Sequence, residues 1–324
     1  MPARIPVIDF SAAFSADLAV RKRVAEALYQ AATTVGFFYM SGHGVAAELT
    51  ERQFEFMQRF FALPTEEKLA LSMRRSKCRR GYEAIGDQTL DLTALPDQKE
   101  SYYCGFDFPE DHPFVRAGYD SYGVSFWPTS IPGFREQMYA YMEAHRALCE
   151  KVMQILALSL DLSEDYFDFT FDDPLVTLRL VRYPPHPDNA EEKLFGAGAH
   201  TDWGSVTTLA QDELGGLEIR GPDGGWIPAT PIPGTFVVNL GDMIPRWTNG
   251  RFKSNLHRVI NRNATRSDRY SMPYFYSPRY TARIEPVPTC VSAEHPAAYE
   301  ALTAGEHLAE MVRLTYGDNY AAAA

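Results

Sequence analysis

His200, Thr201 and Asp202 stand side by side, and His257 follows much later in the chain. Side chains on a strand alternate between its two faces, so His200 and Asp202 would point the same way and Thr201 the other. A histidine and a carboxylate so placed can grip two adjacent corners of one metal ion. His257, within a strand-like run over residues 254–260, can supply a third corner from a neighbouring strand. Two histidines and one carboxylate on one face leave three octahedral positions open, the arrangement found in non-haem iron(II) oxygenases. Those open positions admit O2 together with a substrate or cosubstrate. Zinc hydrolases use similar donors, but no His-Glu-x-x-His helix motif occurs in this sequence.

A second constellation lies beyond His257. In Arg269-Tyr270-Ser271 alternation places the guanidinium and the hydroxyl on one face, with Phe275 further along it. Arginine grips two carboxylate oxygens in a fork and serine adds a donor, which makes a carboxylate clamp. The aromatic residues Tyr102, Tyr103, Phe195, Trp203, Trp247 and Phe275 are candidates for a pocket around a small molecule with apolar bulk, and equally suit a core.

These residues need a scaffold, and the sequence offers one in three textures. Residues 1–171 read as mostly helical around short strands: a strand over 5–10, then a helix from 17 to 34 with Leu18, Val24, Leu28 and Ala31 at three-to-four spacing. Gly36 breaks it before a strand at 37–40. A helix carrying Leu49, Phe56, Phe60 and Phe61 stops before Pro64, and another starts near Thr65. A long helix follows Pro132 and buries Met138, Met142, Leu148, Val152 and Ile155. Residues 172–284 change to short strands, at 175–183, 207–210, 217–219 and 236–240, with Asp223-Gly224 and Asn249-Gly250 as hairpin-type turns. Such spacing indicates a sandwich or barrel. Residues 285–324 form a tail with a helix over 306–315. No linker separates the parts, so residues 1–324 are expected to fold as a single domain.

Bulk properties narrow the function classes. The 324 residues are 45% apolar and 23% charged, an ordinary globular balance. A net charge of −11 disfavours nucleic acid, whose affinity rests on positive charge. The one basic cluster, Arg74-Arg75-Ser76-Lys77 with Arg79-Arg80, reads as a solvated loop. Cys78, Cys104, Cys149 and Cys290 form no C-x-x-C pair, which argues against a zinc knuckle and suits a reducing compartment. No secretory signal is visible in residues 1–10, and no run approaches a membrane span. The expectation is a cytoplasmic protein that meets a small molecule, without a membrane, a nucleic acid or an obligate protein partner.

In motif order the chain resembles the isopenicillin N synthase-like branch of the Fe(II)/2-oxoglutarate-dependent oxygenases. The resemblance is carried by Ile5-Pro6-Val7-Ile8-Asp9-Phe10, Gly36-Phe37-Phe38-Tyr39, His43-Gly44, Gly81-Tyr82 and Lys99-Glu100. It continues through Arg182-Tyr183-Pro184-Pro185, Ala199-His200-Thr201-Asp202, Gly215-Gly216-Leu217, Asn239-Leu240-Gly241-Asp242, Thr248-Asn249-Gly250, His257-Arg258-Val259 and Arg269-Tyr270-Ser271. It implies a mainly β fold with flanking helices, its core a double-stranded β-helix of jelly-roll or cupin-like type. By the same resemblance His200, Asp202 and His257 ligate Fe(II), and Arg269 and Ser271 clamp the distal carboxylate of 2-oxoglutarate. Tyr183 falls near that cosubstrate, and Val181 stands where plant relatives often have asparagine. His43 reads as structural. The implied activity is O2-dependent oxidation of a small organic molecule with release of succinate and CO2, ascorbate serving as an in-vitro reductant. Hydroxylation is the expected outcome, with desaturation or cyclisation as variants. Isopenicillin N synthase-like oxidases keep Arg-x-Ser without using 2-oxoglutarate, so an oxidase stays open, as does, more weakly, a non-catalytic jelly-roll binding protein.

Overall fold

The computed structural model describes residues 4–119, 121–186, 193–261 and 267–316. The start of the N-terminal segment and the end of the C-terminal tail therefore lie outside the described residues. The strands are β1 (Val7–Asp9), β2 (Phe37–Ser41), β3 (Gly81–Glu83), β4 (Glu100–Cys104), β5 (Leu175–Tyr183), β6 (Ala197–His200), β7 (Val206–Gln211), β8 (Leu217–Arg220), β9 (Trp226–Pro228), β10 (Phe236–Leu240), β11 (His257–Val259), β12 (Arg269–Ser277), β13 (Arg283–Ile284) and β14 (Leu302–Thr303). The α-helices are α1 (Leu18–Thr34), α2 (Ala47–Phe61), α3 (Thr65–Ala70), α4 (Pro113–Arg116), α5 (Phe134–Ser159), α6 (Met243–Trp247) and α7 (Ala304–Tyr316).

Local chemistry accounts for the element ends. The Asp17 carboxylate caps α1 by accepting from the Ala19 N–H at 2.8 Å. Gly36, with φ of 73°, closes the same helix, and a Cβ there would collide with the Lys253 carbonyl. Asp223-Gly224 joins β8 to β9 as expected. Asn249-Gly250 does not join strands: with φ of 51° and 79° it ends α6, because a left-handed pair after a helix satisfies the terminal carbonyls.

Eight strands form one sheet in the order β1-β2-β10-β7-β12-β5-β4-β3, and four form a second in the order β6-β11-β8-β9. Pairing is antiparallel throughout these two sheets apart from β1 with β2. This is the jelly-roll architecture flanked by helices. Residues 1–171 carry helices and also β1, β2, β3 and β4, which supply half the strands of the larger sheet.

The period of two sorts each strand of that sheet. One face, with Phe38, Met40, Tyr102, Leu178, Leu180, Val206, Val238, Met272 and Tyr274, packs under α1, α2 and α5. The other face, with Phe37, Tyr39, Val181, Tyr183 and Val237, packs against Ala197, Leu217, Ile219 and Val259 of the smaller sheet. The candidate site lies in this second, inter-sheet layer. No described helix is long and apolar enough to cross a membrane.

Candidate metal centre and cosubstrate pocket

His200 ends β6 and His257 begins β11, and the two are direct cross-strand partners. Their ring centroids lie 4.2 Å apart. Asp202 falls just past the end of β6, in the loop leading to β7, so strand alternation is not what aims it. Its backbone carbonyl accepts from the Asp242 N–H at 2.8 Å, which fixes that loop. The Asp202 Oδ1 atom lies 4.0 Å from His200 Nε2 and 3.7 Å from His257 Nε2. One ligand atom from each residue thus falls within 4.8 Å of the others.

Hydrogen bonds behind the triad set its chemistry. His200 Nδ1 lies 2.8 Å from the Gly198 carbonyl and His257 Nδ1 lies 3.3 Å from the Asn255 carbonyl. A carbonyl only accepts, so both Nδ1 atoms carry a proton and both Nε2 atoms face the shared centre. Asp202 Oδ2 accepts from Thr207 Oγ1 at 2.6 Å and from Asn239 Nδ2 at 2.7 Å, which leaves Oδ1 toward the histidines. Burial opposes ionisation of Asp202. The two imidazoles and the bonds from Asn239 and Thr207 outweigh it and hold the carboxyl below its usual range. Burial, followed by the neighbouring His257, pushes His200 well below the ordinary histidine value, so its ring is neutral. Two imidazole nitrogens and one carboxylate oxygen converging on one point fit a divalent transition metal. Sequence reasoning missed Thr207 and Asn239; alternation along 206–211 and 236–240 places both on the inner face and was the available signal.

On β12, Arg269, Ser271 and Phe275 do share the inner face with the triad. Arg269 is 1% exposed, and its described hydrogen-bond partners are neutral. Nε donates to the Gly215 carbonyl, one terminal nitrogen to Ser271 Oγ at 3.2 Å and the other to Gln211 Oε1 at 3.2 Å. Tyr183, its cross-strand partner, lies with its ring 4.8 Å under the guanidinium. A small space of about 50 Å³ joins Arg269, Ser271 and Tyr183 to His200, Asp202 and His257.

A larger cavity of about 200 Å³ shares His200, Asp202 and Phe275 with this space. Of the six aromatic candidates, Tyr103, Trp203 and Phe275 line it. The other three do not line it. Tyr102 is wholly buried among Phe60 and Phe134, because it alternates with Tyr103 onto the helix face. Trp247 packs on Phe167 and Phe171 in the same layer. Phe195 sits ahead of β6 under the Arg258 guanidinium. The basic cluster also divides. Arg74 and Arg75 are exposed, but Arg80 is buried with its guanidinium on the Phe106 and Gly123 carbonyls. The C-terminal helix contributes Leu308 and Val312 to the cavity wall, residues that periodicity alone left unplaced.

Residues 5–130 match the family model for the non-haem dioxygenase in morphine synthesis N-terminal region, and residues 173–278 match that for the 2OG-Fe(II) oxygenase superfamily. The 2-oxoglutarate-Fe(II) type oxidoreductase hxnY of Emericella nidulans is 37% identical, over 98% of this chain and 91% of its own length. A homoarginine-6-hydroxylase of Oryza sativa subsp. japonica is also 37% identical, over 90% of this chain and 88% of its own. Among solved structures, a full-length Neurospora crassa protein in complex with alpha-KG and thymine superimposes with a TM-score of 0.85 at 32% identity, covering 96% of each chain.

Proposed function

This chain belongs to the 2OG-Fe(II) oxygenase superfamily and is an iron(II)- and 2-oxoglutarate-dependent oxidoreductase; from that premise we propose that His200, Asp202 and His257 hold its iron and that Arg269, Ser271 and Tyr183 receive its cosubstrate. The observation that carries this reading is the convergence of one ligand atom from each triad residue within 4.8 Å, beside a buried guanidinium whose described partners are all neutral. When bound, the iron and the cosubstrate supply oxidation of a small molecule by O2 coupled to decarboxylation, which gives succinate and CO2.

The chain's own residues prepare that chemistry. Asp202 stays ionised and offers Oδ1. The Gly198 and Asn255 carbonyls keep the His200 and His257 protons on Nδ1. Arg269 and Ser271 present three N–H or O–H groups for a carboxylate in a site from which most water is excluded. Tyr183 stacks under the guanidinium and limits its swing. The aromatic and aliphatic wall of the larger cavity, with Tyr103, Trp203, Phe275, Leu308 and Val312, orients a substrate beside His200 and Asp202. A small molecule with apolar bulk suits it, and hydroxylation is the outcome we propose. We further propose that residues 1–324 form one folding unit, supported by strands from both halves sharing one sheet. A reducing compartment, the cytoplasm, is supported by four buried thiols. No nucleic-acid or protein partner is proposed.

The test is parallel measurement of O2 uptake and succinate. Succinate formed from 2-oxoglutarate only with O2 and Fe(II) supports the assignment. Substrate-driven O2 uptake without succinate would hand the case to the oxidase reading, which the relatives do not favour.

A further inference from the structure

Lys99 precedes β4 and is 2% exposed. It lines the small space shared by His200, Asp202, His257, Tyr183, Arg269 and Ser271. An ammonium has three protons to donate. One goes to Asp97 Oδ2, and no second acceptor for Lys99 is found among the described residues. Unused donors on a buried cation are costly, since burial removes the water that would satisfy them. Burial accordingly pushes the Lys99 amine down to about 8 in spite of Asp97 beside it.

Register locates Lys99 in the sheet. Glu100 pairs with Arg182 on β5, so Lys99 falls level with Tyr183, whose partner on β12 is Arg269. Lys99, Tyr183 and Arg269 therefore form a row across three adjacent strands. At about 4.8 Å per strand the two cationic residues start roughly 10 Å apart, with the tyrosine between them. Lys99 is also tied to the His200 side of the space. Its partner Asp97 accepts the Gly198 N–H at 2.9 Å through Oδ1, and the Gly198 carbonyl holds His200 Nδ1. The other charged group on this wall, Arg179, is already paired with Glu83 at 3.0 Å.

We infer that Lys99 is a second cosubstrate-binding residue, donating its remaining N–H groups to the 2-oxo-acid carboxylate of 2-oxoglutarate while Arg269 and Ser271 hold the far carboxylate. The inference rests on the proposed function and adds to it the residue that faces the metal-side end of the dianion. Two negative charges then meet two buried cations, one at each end of the row.

The test is anaerobic calorimetric titration of the Fe(II)-loaded enzyme with 2-oxoglutarate and, separately, with 2-oxobutanoate, which keeps the 2-oxo acid and lacks the far carboxylate. Lys99→Met should weaken both ligands by roughly ten- to a hundredfold, the worth of a charged hydrogen bond. Arg269→Lys should weaken 2-oxoglutarate alone. Because Lys99→Met strands Asp97, the double variant Lys99→Met/Asp97→Asn is measured beside it; asparagine keeps an oxygen for Gly198, and the same loss is expected. Iron affinity should stay within about twofold of wild type. Wild-type affinity for both ligands in the double variant would make Lys99 a mere counter-ion to Asp97 and overturn the inference, as would an iron affinity that falls in step with the cosubstrate. Loss confined to 2-oxoglutarate would overturn the end assignment. Failure of the wild-type enzyme to bind 2-oxoglutarate would instead strike the proposed function itself.

Discussion

The two oxygens of Asp202 have different surroundings. Oδ2 is held by Thr207 and Asn239, and Oδ1 faces two imidazoles. Asp202→Ala removes the only anionic donor of the triad, so most Fe(II) affinity should disappear in an anaerobic titration; an unchanged isotherm would refute the ligand assignment. Asn239→Ala leaves the carboxylate in place but releases one of its two anchors. Outer partners of this kind are worth about ten- to a hundredfold in metal affinity. A titration within twofold of wild type would show that Thr207 alone suffices. Arg269→Lys keeps the charge and loses the fork, so 2-oxoglutarate should bind about one to two powers of ten more weakly while iron binding survives. Succinate release unaffected by that substitution would place the clamp elsewhere.

The strand β4 carries both a site residue and a structural anchor. Glu100, 2% exposed, accepts from Lys68 of α3 at 2.8 Å, from the Tyr82 hydroxyl of β3 at 2.7 Å and from Arg182 of β5 at 2.5 Å. Burial alone would raise its carboxyl, but these three donors outweigh it and hold it below the ordinary glutamate range. A carboxyl lowered in the folded state contributes stability that is fully present above its unfolded value and is lost as pH falls through the folded one. Glu100→Gln leaves the Lys68 ammonium buried without its charge partner, a loss of about 3 kcal/mol near neutral pH. Urea denaturation of wild type and variant should therefore converge as pH drops below the ordinary glutamate value of about 4.3 and on through the lowered folded one. A gap that stays constant over that interval would mean that Glu100 is not ionised in the fold. The same strand shows why one of the aromatic candidates, Tyr102, misses the cavity. Tyr102 and Tyr103 are neighbours, so only one can face inward, and pairing to β5 decides that it is Tyr103.

For the molecule as a whole, ligand binding should register as stability. The triad joins β6 and β11 with the loop before β7, so iron and cosubstrate held at the proposed site would tie the smaller sheet to the larger. Saturation at a hundred times Kd adds about 2.7 kcal/mol to the folded state. Anaerobic Fe(II) with 2-oxoglutarate should raise the melting temperature by several degrees, and a chelator should reverse it; a melting curve indifferent to both would contradict metal binding between the sheets. Much of this was legible from the sequence. Periodicity of 3.6 marked α1, α2 and α5, and periodicity of two marked β5 and the start of β12, because each buries a face of fixed geometry; β7 and β10 were legible as short apolar runs between turn signals. The same alternation put Arg269, Ser271 and Phe275 on one face, and residue chemistry alone nominated His200, Asp202 and His257. What alternation could not settle is which face looks inward and what lies opposite, since that depends on pairing between residues far apart in sequence. Asp202 is aimed by a loop tied to Asp242, and His200 meets His257 only through the register of β6 on β11. The four N-terminal strands reach the large sheet by long-range pairing, Asn249-Gly250 caps a helix, and α7 returns to wall the cavity. Lys99 became a candidate site residue only when three strands lay side by side. Local chemistry was written in the chain; convergence was decided by non-local hydrogen bonding between strands, which no short stretch of sequence encodes.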